Sequence, residues 1–199
     1  MFLLKGLIAF VMEIMETVVF VGSLFIVVYL FILQPNQIKG ASMEPTFYNG
    51  NYIFTSKITF KMRSPQRGDV VVFHSPKNHD IEFIKRIIGL PGDMVLIQEN
   101  ELYVNGKRLD ETYISAKTTL VPGSFAQDGV SIEVPKGRFF VMGDNRPRSS
   151  DSREFGTIPR ESIVGHVFYR YFPTDKIGPI NNPYDSDGNL QAYSLLSFE

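Results

Sequence analysis

Residues Thr17 to Leu33, TVVFVGSLFIVVYLFIL, carry no charge and almost no polarity. About 20 such residues, with a usual range of ~17–25, make a helix that crosses the hydrocarbon core of a bilayer. The run therefore divides the chain into a membrane-seeking segment and everything after it. Glu13 and Glu16 precede the apolar core, and Gln34-Pro35-Asn36-Gln37 follows it where a cleaved secretory signal would carry a small-x-small site. Its β-branched residues suit a span better than a buried core helix. The expectation is a retained anchor in residues 1–35 with one span at about 17–33. Lys5 and the α-amino group at one end are nearly balanced by Lys39 at the other, so charge alone does not orient the span.

After Pro35 short β-branched and aromatic runs alternate with turn residues. Residues 51–58, 69–73, 81–88, 94–98, 102–104, 130–134, 138–142 and 163–171 read as strands. Asn105-Gly106 is a strong two-residue hairpin signal. Strands this frequent, with no helical periodicity between them, predict an all-β domain over 36–175 rather than βαβ units. A short polar insert is expected at about 111–135 and an extended tail over 176–199. Lys57 to Arg63 alternates apolar with mostly cationic residues, as would a strand that either packs on the core or dips one face into lipid. Asp185-Ser186-Asp187-Gly188-Asn189 lacks EF-hand spacing, with Leu196 where a ligating Glu would stand, and reads as a turn. The net charge of −1 gives no reason to expect nucleic acid as a partner. The absence of cysteine removes thiol nucleophiles, disulfides and zinc–thiolate sites together.

Three stretches can carry chemistry. In Gly40-Ala41-Ser42-Met43-Glu44-Pro45-Thr46, Pro45 restricts the backbone on both sides of itself, so one hydroxyl is presented by a stiff turn. The same residues also suit an ordinary turn. In Ile81 to Ile88, alternation sends Lys85 to the face of Phe83 and Ile87, and Arg86 to the face of Ile84 and Ile88. One cation must then enter a low-dielectric setting unless it snorkels at a sheet edge. Unperturbed lysine titrates near ~10.4, and burial can lower that by up to ~3–5 units. A neutral amine can take a proton from a serine hydroxyl without a histidine. Gly143 to Arg153 packs two aspartates, three arginines and three serines into one loop. Ion pairs such as Asp151–Arg153 or Asp144–Arg146 would stiffen it.

Ser-Met-Glu-Pro-Thr at 42–46, Gly-Asp-Val-Val-Val-Phe at 68–73, Lys-Arg-Ile-Ile-Gly-Leu-Pro-Gly-Asp at 85–93 and the 143–153 loop stand in the order seen in bacterial type I signal peptidases. The chain resembles that family from about Gly40 to Pro173, with the anchor before it. The resemblance implies a coiled antiparallel-sheet catalytic domain, Ser42 as nucleophile and Lys85 as general base. It further implies that Ser149 orients the lysine amine, and that Asp144, Arg146, Asp151 and Arg153 are ion-pair residues of the loop. The Ser42 backbone N–H is expected to donate to the oxyanion. Gly40 stands where some members carry a serine that completes the oxyanion hole, so another main-chain donor or a water must substitute.

The implied substrates are signal-peptide-bearing preproteins, cut after Ala-x-Ala-type small residues through an acyl-enzyme. The implied setting is the bacterial plasma membrane, with a single pass and the catalytic domain on the extracytoplasmic side. No cofactor or metal is expected, and the chain is expected to be a monomer. The nine residues from Leu33 to Ser42 reach at most about 30 Å, which keeps the nucleophile near the lipid. Three other readings compete. A Ser–His–Asp hydrolase would need His74, His79 or His166, none in a nucleophile-elbow pattern. A self-cleaving Ser–Lys peptidase fits poorly with an anchor and the 143–153 loop. A tethered, non-catalytic β module would keep the fold but have no use for Ser42 together with Lys85.

Overall fold

The computed structural model describes residues 2–185 and 189–191. Ser186 to Gly188 of the expected turn and the last eight residues of the tail lie outside them. Helix α1 runs Phe2–Phe31, starting well before the expected span of 17–33 and ending two residues short of it. At 1.5 Å per residue it is about 45 Å long, against about 30 Å of hydrocarbon. Neither glutamate interrupts it, because Glu has high helix propensity and both side chains are exposed. Lys5–Phe31 is long and apolar enough to cross a bilayer, and none of its most apolar window is buried against the rest of the protein.

The chain enters the sheet as soon as it leaves the helix. Strand β1 is Leu33–Gln37, so the boundary expected after residue 35 falls inside a strand. Pro35 is tolerated there because β1 is an edge strand, paired only with β2 (Tyr52–Ser56). The strand expected to continue through residue 58 stops at Ser56, and α2, Thr59–Met62, is one helical turn. Alternation therefore does not govern 57–63. The Ser56 hydroxyl accepts from the Thr59 N–H (3.3 Å), starting the turn. Phe60 folds inward against a core cluster while Met62 is 82% exposed.

Strands β3 (Val70–His74), β4 (Glu82–Gly89), β5 (Met94–Gln98), β6 (Glu101–Val104), β7 (Lys107–Arg108), β8 (Ser131–Glu133) and β9 (Arg138–Met142) follow. Then come the short helix α3 (Ser152–Phe155), β10 (Ile158–Pro159), β11 (Ile163–Phe172) and β12 (Gly178–Pro179). The first sheet has the order β1-β2-β11-β3-β4-β9-β10, with β12 on β11; the second has β7-β6-β5-β8. Every pairing is antiparallel. Asn105 and Gly106 both take positive φ, 52° and 76°, and close the two-residue β6–β7 hairpin.

Apolar side chains cover both faces of the first sheet. Val71, Phe73, Ile87 and Val141 pack on one face. Ile38, Met43, Phe47, Ile53, Val70, Val72 and Val167 form another cluster, into which the turn carrying Ser42 is nailed by Met43 and Phe47. A third cluster, centred on Ile88, Val95, Phe140 and Met142, joins the two sheets. The segment from 176 is more than an extended tail: Gly178 pairs with Arg170, and Tyr184 is 2% exposed in that third cluster.

Candidate active site

Three elements converge on Ser42. The turn at 40–47 presents it, β4 brings Lys85, and the 143–153 loop closes from behind. Gly40 has φ +93°, a conformation that lets the chain reverse out of β1 and that side chains other than glycine rarely adopt. The Lys85 Nζ donates to Ser42 Oγ (2.8 Å) and to the Ile84 carbonyl (2.9 Å), and stands 5.3 Å from the centre of the Phe83 ring. Lys85 is 4% exposed. Burial lowers its pKa from 10.5 to about 8, against the opposing pull of the Asp151 and Asp144 carboxylates. Snorkelling is excluded by that burial, which includes the amine.

The loop reaches the turn through backbone as well as side chains. The Asn145 N–H donates to the Ser42 carbonyl at 3.0 Å. Gly143 is packed so closely that an added Cβ would lie 2.4 Å from that carbonyl and 2.3 Å from Ser149 Oγ. Among the described residues, the Ser42 N–H donates to no acceptor, whereas the Gly40 N–H is held by Asn49 Oδ1 at 3.0 Å. Of these two, Ser42 is the one with a donor free for a developing oxyanion.

Asp151 pairs with Arg153 through two 2.8 Å bonds and accepts the Gly143 N–H at 3.0 Å. Burial alone would raise its pKa, but the Arg153 guanidinium and the Gly143 N–H hold it below the usual carboxylate value. Arg153 also donates to the carbonyls of Arg146 (2.7 Å) and Thr119 (2.8 Å). The pairing Asp144–Arg146 expected from sequence does not form. Asp144 instead takes Arg86 in a two-pronged bond (2.9 and 2.6 Å) and the Thr46 hydroxyl at 2.6 Å. Arg146 turns to Glu111 and to the Thr118 hydroxyl (2.5 Å). Arg146 opens a short 3-10 helix, Arg146–Arg148, and its guanidinium lies against the insert rather than against its neighbour in sequence.

Sequence reasoning missed Arg86, Glu111 and Thr118. The signal for Arg86 was present in the demand that two adjacent strand cations find counter-charges. For Glu111 there was none, because nothing local marks a long-range partner. Ser149 Oγ is buried beside Gly143 and near the Asp151 carboxylate, whose pKa it helps to hold low; Lys85 does not reach it here. The histidines stay apart from Ser42: His74 Nδ1 lies 3.0 Å from the His79 carbonyl, and His166 lies 3.6 Å from Asp69.

A cleft of about 330 Å³ opens in front of Ser42 and Lys85, between residues 36–42 and the start of β4. Its floor includes Ile38, Ile53, Val72 and Ile84. The β3–β4 register, bracketed by the Ile87 N–H to Asp69 and the Ser75 N–H to Ile81 bonds, uses the backbone groups of Phe83 and Lys85. Those of Glu82 and Ile84 therefore point toward the cleft, beyond the end of the β9 pairing.

The family model for signal peptidase, peptidase S26, matches residues 11–172. Signal peptidase IB of Staphylococcus aureus (strain COL) is 36% identical over 185 residues, 86% of this chain and 96% of its own. Probable signal peptidase I-2 of a Synechocystis strain is 38% identical over 172 residues, 84% of this chain and 76% of its own. A solved signal peptidase I from Enterococcus faecalis V583 is 38% identical and aligns over 52% of this chain and 97% of its own, with a TM-score of 0.44.

Proposed function

Since the chain belongs to the signal peptidase family, peptidase S26, and is a signal peptidase I-type serine peptidase with preprotein substrates, we propose that it cleaves by a Ser42–Lys85 dyad. The observation that carries this reading is the 2.8 Å contact, at the cleft, between a buried amine and the Ser42 hydroxyl. With Lys85 neutral, the Ser42 hydroxyl donates to Nζ, and Oγ attacks the scissile carbonyl as its proton passes to the amine. The oxyanion forms against the Ser42 N–H. The Lys85 ammonium then protonates the departing amine of the mature chain, leaving the signal peptide esterified to Ser42. Water, deprotonated by the same amine, releases it. Asp151, Asp144 and their arginines hold the loop that backs this arrangement.

The cleft supports a preference for small residues. A substrate strand lying along Glu82 and Ile84, where β4 has no β9 partner, would point the first and third side chains before the scissile bond to one side. The apolar floor of Ile38, Ile53, Val72 and Ile84 would receive them. An anchored domain, with α1 as a single pass and the β domain extracytoplasmic, would meet its substrate where a signal segment leaves the lipid. Protease protection of the domain in sealed vesicles of known sidedness tests that orientation.

The pH–rate profile is the first expected outcome. The reactive form is the neutral amine, so kcat/KM rises about tenfold per pH unit below about 8 and levels above it. An inflection near the ordinary lysine value, with no break below it, would contradict a buried base. Ser149→Ala is expected to fold and to bind precursor with little change in KM while kcat falls about ten- to a hundredfold, on the order of one lost orienting hydrogen bond. In this reading its buried hydroxyl turns to the amine when substrate is bound. An unchanged kcat would assign that task elsewhere.

A further inference from the structure

A second recess, about 300 Å³ in volume, opens at the end of α1, between its last turn and the β domain. Leu30, Phe31 and Phe60 form its apolar wall, and Lys57, Lys61 and Arg160 surround it; no Asp or Glu lines it. None of these three cations pairs with a carboxylate among the described residues. Arg63, the other cation of the 57–63 stretch, is withdrawn to Asp69 at 2.7 Å. Lys57 donates to the carbonyls of Leu30 (3.3 Å) and Tyr29 (3.5 Å), offsetting the negative end of the helix dipole. Arg160 is set in place by a 2.8 Å bond to the Phe60 carbonyl and by the Phe60 ring at 5.3 Å.

We propose that this recess binds the phosphate of an anionic glycerophospholipid, with the glycerol and first methylenes along Leu30, Phe31 and Phe60. The proposal rests on α1 lying in a bilayer. Leu30 and Phe31 end the apolar helix, so the recess sits where hydrocarbon gives way to headgroups. A phosphodiester without a compensating ammonium answers three unpaired cations; a zwitterionic headgroup would bring its own positive charge against them. A free phosphate would meet the cations but leave the apolar wall in contact with water. Occupied, the recess would fix the tilt of the domain on the membrane and aim the cleft at the lipid surface.

The test uses the full chain in phosphatidylcholine nanodiscs titrated with phosphatidylglycerol, with bound lipid counted by native mass spectrometry. Saturable binding of one phosphatidylglycerol is expected, about five-fold weaker in Lys61→Gln and about 25-fold weaker in Lys61→Gln/Arg160→Gln, at about 1 kcal/mol per cation. Lys61→Arg should bind like the parent. Lys61 is exposed, so the single variant reads binding even if the double one is unstable. Equal retention of both lipids, unchanged binding in Lys61→Gln, or full displacement by millimolar inorganic phosphate each overturns the proposal. Failure to enter phosphatidylcholine discs at all would instead remove the bilayer reading of α1, and the proposal with it.

Discussion

Ser42→Ala and Lys85→Ala each reduce precursor cleavage to background, and the double variant is no slower than either one. A nucleophile and its base act as a unit, so losing one forfeits what the pair supplies, on the order of 10⁴-fold or more in kcat. Lys85→Arg is as inactive, because a guanidinium does not deprotonate at working pH. Lys85→Met separates chemistry from stability. It keeps the length of the stem and removes a charge whose burial holds the pKa near 8 instead of 10.5, a destabilisation of about 3 kcal/mol at ~1.36 per unit. The variant should therefore be inactive and melt at least as high as the parent. The measurement is release of mature protein from a signal-bearing precursor, beside a thermal melt. Cleavage at more than a few per cent of the parent rate in any Lys85 variant would sink the dyad.

Local chemistry was legible in the sequence; long-range choices were not. Asn105-Gly106 named its hairpin because a two-residue turn with both φ positive admits few other pairs. The alternation about Lys85 correctly put it with Phe83, since strand periodicity depends on no partner. At 57–63 the same argument failed. Alternating polarity is a property of the residues, whereas the strand needs a ladder to join, and β2 leaves its partners at Ser56. The expected span of 17–33 ran two residues past the end of the helix because hydropathy does not distinguish Leu33 in a membrane helix from Leu33 on an edge strand. In the loop, Asp151–Arg153 was readable from proximity alone. Asp144–Arg86 spans 58 residues, and only the fold brings those two together.

That long-range pair carries the other large expectation: Asp144→Ala lowers the melting temperature by roughly 6–20 °C, from a loss of about 3–5 kcal/mol. The two side chains are 2% and 0% exposed. Removing the carboxylate leaves the guanidinium with the Gly68 carbonyl (2.9 Å), the Thr46 hydroxyl (3.4 Å) and the face of Tyr113 (4.2 Å), none of which neutralises it. A domain has only about 5–15 kcal/mol of total stability, so the loss is severe. The exposed pair Lys77–Glu154, with half of each side chain in solvent, is the control: Lys77→Ala should cost no more than about 1 kcal/mol. Replacing both buried partners, as Arg86→Met/Asp144→Leu, should restore much of the lost stability, because an apolar pair carries no desolvation penalty. Activity should not return with it. Asp144 also holds the Thr46 hydroxyl at 2.6 Å, four residues after Ser42, and leucine cannot replace that bond. Stability and cleavage would then part: the double variant melts well above Asp144→Ala yet cleaves as slowly, with the defect in kcat. If the double variant melts no higher than the single one, the cost lies in the cavity and not in the orphaned charge. If its cleavage recovers along with its melting temperature, Asp144 serves the fold alone and the Thr46 bond does nothing to position the nucleophile.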